Sequence, residues 1–294
     1  MKNERMIEMK IGFIGIGVMG TAMATHLLAA GHELFIYNRT KSKADSLIQK
    51  GAVWCEDVQT VATQSSVIFT IIGMPSDVEA VYLGEQGLIQ HAKAKSILID
   101  MTTSSPGLAK KIAEVASEKE IICLDAPVTG GDIGAKNGTL TMMVGGDKQA
   151  FDEIQNILAL MATTIVYMGD AGSGQHAKMA NQVAISGAVL GMAESLSYAK
   201  QANLNLESML KILTSGSAAS WQLQNMGPRV LNHDYEPGFY IKHFIKDMSI
   251  ALAESKQMNT ELAGLALVLS IYQELQANGD ENLGTQGIFK YYEN

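Results

Sequence analysis

Cysteine is nearly absent: the 294-residue chain has two, Cys55 and Cys123. So few, so far apart, exclude a disulfide framework and a cysteine-based zinc site, and they suit a reducing compartment. No basic run or stripe offsets the formal net charge of -8, which argues against a nucleic-acid surface. No apolar segment has the length needed to cross a bilayer. The opening MKNERMIEMK is charged and lacks the apolar run of a secretion signal. Residues 1–8 are therefore expected to be a loose tail, and the protein cytoplasmic, with neither membrane nor nucleic acid as partner. Proline is scarce too: five in all, none between Gly172 and Lys200. What is abundant is core material. With 47% hydrophobic residues, the chain can fill two modest domains without staples.

The proline-free stretch reads GSGQHAKMANQVAISGAVLGMAESLSYAK. Gly172, Ser173 and Gly174 suit a loop-to-helix entry, and a helix of about eight turns would span roughly 40 Å. Ala177, Ala180, Val183, Ala184, Val189, Leu190, Ala193 and Leu196 make it small or apolar on every side, the pattern of a buried helix. Gly187 and Gly191 would let other helices approach its backbone. Its first turns are polar instead: Lys178, Asn181 and Gln182, spaced by three and four residues, share one face. Both the helix dipole and burial weigh against a charged lysine there, which suits proton transfer. The plain alternative is a lysine snorkelling to the surface.

The first half alternates strands and helices. Lys10 to Ile14 reads as a strand, followed by Gly15, Gly17 and Gly20 in G-x-G-x-x-G, a helix stopping at Gly31, and a strand from Glu33 to Tyr37. Set inside a βαβ unit, this is the dinucleotide-binding fingerprint. Gly15 makes the tight turn, Gly17 admits the pyrophosphate and Gly20 lets helix pack on strand. The second strand ends in Asn38-Arg39-Thr40, where an NAD site usually has a carboxylate for the ribose. A guanidinium can bind a 2′-phosphate bidentately, with Lys41 or Lys43 adding charge, so the signal favours NADP and leaves NAD open.

Further strands are expected near Val53 and over Val67–Ile72, Ser96–Asp100, Ile121–Ala126, Thr139–Gly145 and Thr164–Tyr167. Helices are expected near Ser42–Lys50, from Ser76, after Pro106 and over Phe151–Met161. Such alternation implies a doubly wound parallel sheet, an α/β class. Its ligands gather at the carboxyl ends of strands, where Met74-Pro75 and Thr102-Thr103 lie. Asp125 to Leu140, DAPVTGGDIGAKNGTL, reads as a glycine-rich loop whose N–H groups form a nest for an anion; an ordinary connection is the alternative. Residues 1–170 thus form a Rossmann-type domain.

Residues 171–294 have no convincing strand and read as an all-helical domain, joined through the long helix at about 174–200. Helices over Leu206–Leu213, Ser220–Met226, Phe244–Met258 and Glu261–Gln276 are separated by Gly216, Gly227-Pro228 and Tyr235-Glu236-Pro237-Gly238. His233 and His243 lack partners at metal spacing, and no metal is expected.

GFIGIGVMGTAMATHL, DAPVTGGDIGAKNGTL, GSGQHAKMANQ and KDMSIALAES, in this order, resemble the β-hydroxyacid dehydrogenase family, which includes 3-hydroxyisobutyrate dehydrogenase, tartronate semialdehyde reductase and the glyoxylate/succinic semialdehyde reductases. The resemblance covers nearly the whole chain. It implies that Thr129, Gly130 and Gly131 bind a substrate carboxylate, that Lys178 is the general acid/base, and that Asn181 holds substrate; it makes Trp221 and Phe239 candidates for the site, with a core role as the alternative. The implied cofactor contacts are Gly15, Gly17, Val18, Met19, Gly20, Asn38, Arg39, Thr40, Met74, Pro75 and Thr103, with Lys246 and Asp247 from the fourth motif. Thr129 stands where the family more often has serine, and the added methyl would narrow the pocket. Asn38-Arg39-Thr40 is closer to the NADPH-using reductases. The implied activity is hydride transfer between NADP(H) and a small carboxylate-bearing hydroxyacid or semialdehyde; the buried long helix and the small second domain suggest a homodimer or homotetramer in which the long helices pack together. An NAD-linked 3-hydroxyisobutyrate dehydrogenase, a decarboxylating enzyme of the 6-phosphogluconate type and a non-catalytic dinucleotide-binding protein are the alternatives.

Overall fold

The computed structural model describes residues 9–293, and the tail expected at residues 1–8 lies outside the described residues. Six strands, β1 (Lys10–Ile14), β2 (Glu33–Tyr37), β3 (Val53–Trp54), β4 (Val67–Thr70), β5 (Ile97–Asp100) and β6 (Ile122–Asp125), run parallel in the order β3-β2-β1-β4-β5-β6. Their side chains alternate between two cores, because successive strand residues point to opposite faces. Ile11, Phe13, Leu34, Ile36, Val67, Phe69, Ile97 and Ile99 feed one. Ile14, Phe35, Ile68 and Leu98 feed the other. Burial on both faces is why these strands read as continuous apolar runs.

The far edge departs from a purely parallel sheet. Here β7 (Val128–Thr129), β8 (Leu140–Gly146) and β9 (Ala162–Gly169) follow, with β8 antiparallel to both β6 and β7 and parallel to β9. The accompanying helices are α1 (Val18–Ala29), α2 (Asp45–Ile48), α3 (Val58–Gln64), α4 (Pro75–Leu83), α5 (Leu88–His91), α6 (Pro106–Ser117), α7 (Gly131–Asn137) and α8 (Lys148–Leu158). Of these, α3, α5 and α7 escape the sequence reading. At seven, four and seven residues they are too short for a 3.6-residue period to declare itself. The stretch expected as a glycine-rich loop is in fact strand, turn and helix.

Helix α9 (Ser173–Gln201) is unbroken over 29 residues. The chain divides into compact units within it, Met1–Lys178 and Met179–Asn294. It is not buried on every side. Val189, Met192, Ala193 and Leu196 are buried, while Ala180, Ala184, Gly187 and Gly191 are exposed. A Cβ at Gly187 or Gly191 would meet nothing within 4 Å among the described residues. Alanine and glycine carry too little apolar area to compel burial.

The second unit adds α10 (Leu206–Ser215), α11 (Trp221–Asn225), α12 (Gly227–Leu231), α13 (Ile241–Gln257), α14 (Ala263–Ala277) and a closing 3₁₀ turn, with no strand among its described residues. Its core holds Val189, Phe244, Met248, Val268 and Tyr272. Phe244 meets Tyr272 edge-on at 5.3 Å, and the Tyr272 hydroxyl donates to the Thr285 carbonyl at 2.6 Å. Gly227-Pro228 opens α12 rather than merely separating helices. A proline in the first turn has no N–H to waste there. Among the described residues no helix is long and apolar enough to cross a membrane.

Candidate active site

The order of the sheet reverses at β1, which has β2 on one side and β4 on the other. The glycine loop leaves β1 at this switch point, the place where open α/β sheets bind ligands. Gly15 has φ +101°, and a Cβ on it would overlap the Ile71 carbonyl. A Cβ on Gly20 would overlap the Gly15 carbonyl, whereas one on Gly17 would meet nothing within 4 Å. Gly15 and Gly20 are thus required for packing, and Gly17 leaves its backbone open at the start of α1. Val18 stands 61% exposed beside it, Met19 is half-buried against the core, and α1 has no acidic residue in its first turn. This geometry accepts a pyrophosphate.

The end of β2 serves the same loop. Asn38 accepts a hydrogen bond on Oδ1 from the Ile16 N–H at 3.0 Å, and its Nδ2 donates to the Thr40 carbonyl at 2.9 Å. It therefore locks the glycine loop to the strand end, a role the sequence reading did not foresee. Arg39 is exposed, and its Nη1 lies 3.3 Å from Asp77 Oδ1. The other Asp77 oxygen accepts from the Met74 N–H at 3.2 Å. A carboxylate thus stands at the Arg39 corner after all, supplied by α4 rather than by β2. Its sequence signal was an acidic residue just after Met74-Pro75, at a helix start. Lys41 is drawn to Glu56 at 3.2 Å. Pro75 begins α4, and Thr103 lies half-buried after β5, both at strand ends as expected.

The opening of α9 is bolted to the same strand ends. Asp125, at the end of β6, accepts from the Gly172 N–H at 2.7 Å and from the Gln175 N–H at 2.8 Å. Gln175, wholly buried, spans back to β5: its Oε1 accepts from the Ser104 N–H at 2.9 Å and its Nε2 donates to the Thr102 carbonyl at 2.7 Å. Burial pushes the Asp125 carboxyl up from 3.8 to about 6, against the pull of the Gly172 and Gln175 donors. Neither Asp125 nor Gln175 was among the sequence candidates. Buried structural carboxylates carry no pattern of their own.

This anchoring presents Lys178. It is 6% exposed, in the second turn of α9, and its Nζ donates to the Val128 carbonyl at 2.9 Å. It does not snorkel to the surface. The residue after Val128 is Thr129, half-buried at the end of β7. Gly130 (φ +126°) and Gly131 (φ +64°) follow, both exposed. Lys178 and the Thr129-Gly130-Gly131 turn are therefore neighbours, brought together from residues 50 apart in the chain.

In the second unit, Asn181 Nδ2 donates to Gln182 Oε1 at 3.0 Å, and Gln182 Nε2 donates to Asp247 Oδ2 at 2.7 Å. Lys246 Nζ lies 3.2 Å from Asp247 Oδ1. Asp247 and Gln182 are each 1% exposed, so Asp247 faces protein rather than an open surface. One turn earlier on α13, His243 is held below its usual range by burial and by Lys246 and Lys242; it stacks on Phe239. Phe239 packs against the helical core, while Trp221 is 53% exposed. His233 is an exposed residue 3.9 Å from Glu293. Among the described residues no group of three or more His, Cys, Asp or Glu side chains could hold a metal ion.

Two family models match the chain: the NAD-binding domain of 6-phosphogluconate dehydrogenase over residues 10–169, and the NAD-binding domain of NADP-dependent 3-hydroxyisobutyrate dehydrogenase over residues 172–292. The chain is 44% identical over 280 residues to a probable 3-hydroxyisobutyrate dehydrogenase-like protein of Arabidopsis thaliana, covering 95% of this chain and 84% of that one. It is 35% identical over 275 residues to 2-hydroxy-3-oxopropionate reductase of Escherichia coli, covering 94% of each. The structure of 3-hydroxyisobutyrate dehydrogenase from Mycobacterium tuberculosis with L-serine is similar, with a TM-score of 0.88 and 25% identity, over 97% of this chain and 99% of that one.

Proposed function

Because the chain belongs to the family of NAD(P)-dependent hydroxyacid dehydrogenases that includes 3-hydroxyisobutyrate dehydrogenase, we propose that it exchanges hydride between NADP(H) and a short carboxylate-bearing hydroxyacid or semialdehyde, with Lys178 as general acid and base. The observation that carries this reading is the buried Lys178 amine, 2.9 Å from the Val128 carbonyl and beside the Thr129-Gly130-Gly131 turn. The open backbone at Gly17 fits a dinucleotide. When bound, the nicotinamide supplies or accepts the hydride. Lys178 gives a proton to the substrate oxygen in reduction and takes it back in oxidation. Its bond to Val128 fixes where the amine sits, so the proton is delivered from one place.

Thr129 and the Gly130 and Gly131 backbone hold the substrate carboxylate, and Asn181 holds the substrate from α9. Fixing the carboxylate sets its distance to the reacting carbon, and positioning of that kind lowers a barrier by several kcal/mol. Val18, Met19, Met74, Pro75 and Thr103 would line the cofactor, and Arg39 would meet its 2′-phosphate. An NAD-linked 3-hydroxyisobutyrate dehydrogenase is the second reading. The Asp77 carboxylate favours it, because a 2′-phosphate must compete with Asp77 for Arg39. Assembly into a homodimer or homotetramer belongs to the same proposal, and light scattering of the purified protein tests it.

The test is a screen of glyoxylate, succinic semialdehyde, methylmalonate semialdehyde and tartronate semialdehyde with NADPH and with NADH, and butanal as the neutral control. One of the acids should exceed butanal in kcat/KM by at least about tenfold, since anion-binding donors would otherwise be left unpaired. Equal turnover of butanal would overturn the substrate class, and equal use of both cofactors would overturn the NADP preference.

A further inference from the structure

We propose that Gln182 is a positioning residue, which passes the fixed acceptor character of the Asp247 carboxylate on to Asn181 and so holds the Asn181 amide in one orientation. The proposal rests on the reading of Asn181 as a substrate contact and deepens it. An ionised carboxylate can only accept hydrogen bonds, whereas an amide presents an acceptor and a donor of nearly the same shape. Asp247 is buried with the Lys246 ammonium 3.2 Å from Oδ1, and its Oδ2 takes the Gln182 amide nitrogen at 2.7 Å.

That contact leaves Gln182 no choice of orientation. With its nitrogen on Asp247, its Oε1 must face the other way, where it accepts from Asn181 Nδ2 at 3.0 Å. Asn181 in turn must keep its nitrogen toward Gln182 and its carbonyl oxygen away from it. An asparagine held only by solvent would exchange its two ends and would have to be reordered at each binding event. Here the ordering is done in advance by a buried carboxylate two residues along the network. Gln182 is 1% exposed, so it acts through Asn181 rather than on the substrate. Leaving a buried donor or acceptor unmatched is costly, and this keeps the network in register.

The test uses the full-length protein with NADPH and succinic semialdehyde, or methylmalonate semialdehyde if the screen ranks it higher. Gln182→Met keeps the length of the side chain and removes both bonds; it should lower kcat/KM by about tenfold, the worth of one hydrogen bond. The same change in an Asn181→Ala background should cost less than about twofold, because two residues acting as a unit are not additive. Gln182→Glu supplies the sharper readout. When protonated, the introduced carboxyl would donate to Asp247 and still accept from Asn181; when ionised, it would repel Asp247. The activity of this variant should recover as the pH is lowered and fall as it is raised, a limb absent from the parent and from the double variant with Asn181→Ala. Lys246, His243 and Asp247 on α13, and Lys178 one turn earlier on α9, are the same in every variant and cancel in that comparison. Melting curves at each pH separate the limb from unfolding. If Gln182→Met does not fold, Gln182→Glu at acid pH carries the test alone. An effect of Gln182→Met undiminished in the Asn181→Ala background, or a Gln182→Glu profile parallel to the parent, would overturn the proposal while leaving Asn181 as a substrate contact. An unchanged kcat/KM in Asn181→Ala would overturn both.

Discussion

The Asp125 carboxylate and the Gln175 backbone N–H, 50 residues apart in the chain, are joined by a 2.8 Å hydrogen bond that ties the end of β6 to the first turn of α9. Helix starts leave N–H groups without intrahelical partners. Here a strand-end carboxylate fills that need from a distance, taking Gly172 on one oxygen and Gln175 on the other. Lys178, one turn later, is held in place by this joint.

Asp125→Asn should therefore destabilise the fold. An amide has one acceptor where the site has two donors, and a mismatched buried donor costs about 1–3 kcal/mol. The pH dependence has a definite sign. Burial raises this carboxyl from 3.8 to about 6, so the folded protein holds its proton more tightly than the unfolded chain does. Its contribution to stability is fully present below about pH 4 and falls by roughly 3 kcal/mol as the pH rises through and past about 6. Urea unfolding of parent and Asp125→Asn across that range should show the stability gap narrowing with rising pH. A constant gap would place the titration elsewhere.

Two glycines of α9 should respond oppositely to alanine. At Gly174 a Cβ would lie 2.5 Å from the Asp125 carbonyl oxygen and would overlap that of Met143. Neither backbone can move aside, so Gly174→Ala should cost about 3 kcal/mol or more. At Gly187 nothing lies within 4 Å, and an alanine in a helix interior gains about 0.5–1 kcal/mol over glycine. Denaturation midpoints of the two variants should move in opposite directions. A loss at Gly187 would mean that another chain packs on that face.

Arg39 and Asp77 should set cofactor choice together. Arg39→Ala should weaken NADPH binding by about tenfold, as loss of one charge-assisted contact, with little change for NADH. Asp77→Asn should tighten NADPH by about two- to fivefold, a modest gain because the pair is near the surface, and one that shrinks with added salt. Cofactor fluorescence titrations read both. An Asp77→Asn protein that binds NADPH no better than the parent would remove Asp77 from the account.

Lys178→Met should lose about 10²- to 10⁴-fold in turnover while still binding NADPH, as read by fluorescence. Turnover within about threefold of the parent would transfer the proton to another group, since removing a general acid costs far more than that.

The glycine loop and the helical face that carries Lys178 were legible in the sequence because each depends on local pattern. A strand, three spaced glycines and a helix are contiguous, and the reason for each glycine lies within a few residues or in the adjacent strand. Helical spacing alone put Lys178, Asn181 and Gln182 on one face. Strands β1, β2, β4, β5 and β6 announced themselves because both of their faces are buried, which leaves a nearly uninterrupted apolar run. What pattern left hidden was every partner chosen by folding. The Asp125 clamp on α9, the Asp77 carboxylate at Arg39 and the Asp247–Gln182–Asn181 network join residues 47, 38 and 65 positions apart. A buried polar group takes whichever donor or acceptor the packed chain brings within about 3 Å, and nothing local in the sequence encodes that choice. The reverse error has the same origin. Ala180, Ala184, Gly187 and Gly191 suggest a helix buried all round, but small side chains tolerate either environment, and only the packing of the other helices decided which face stayed open.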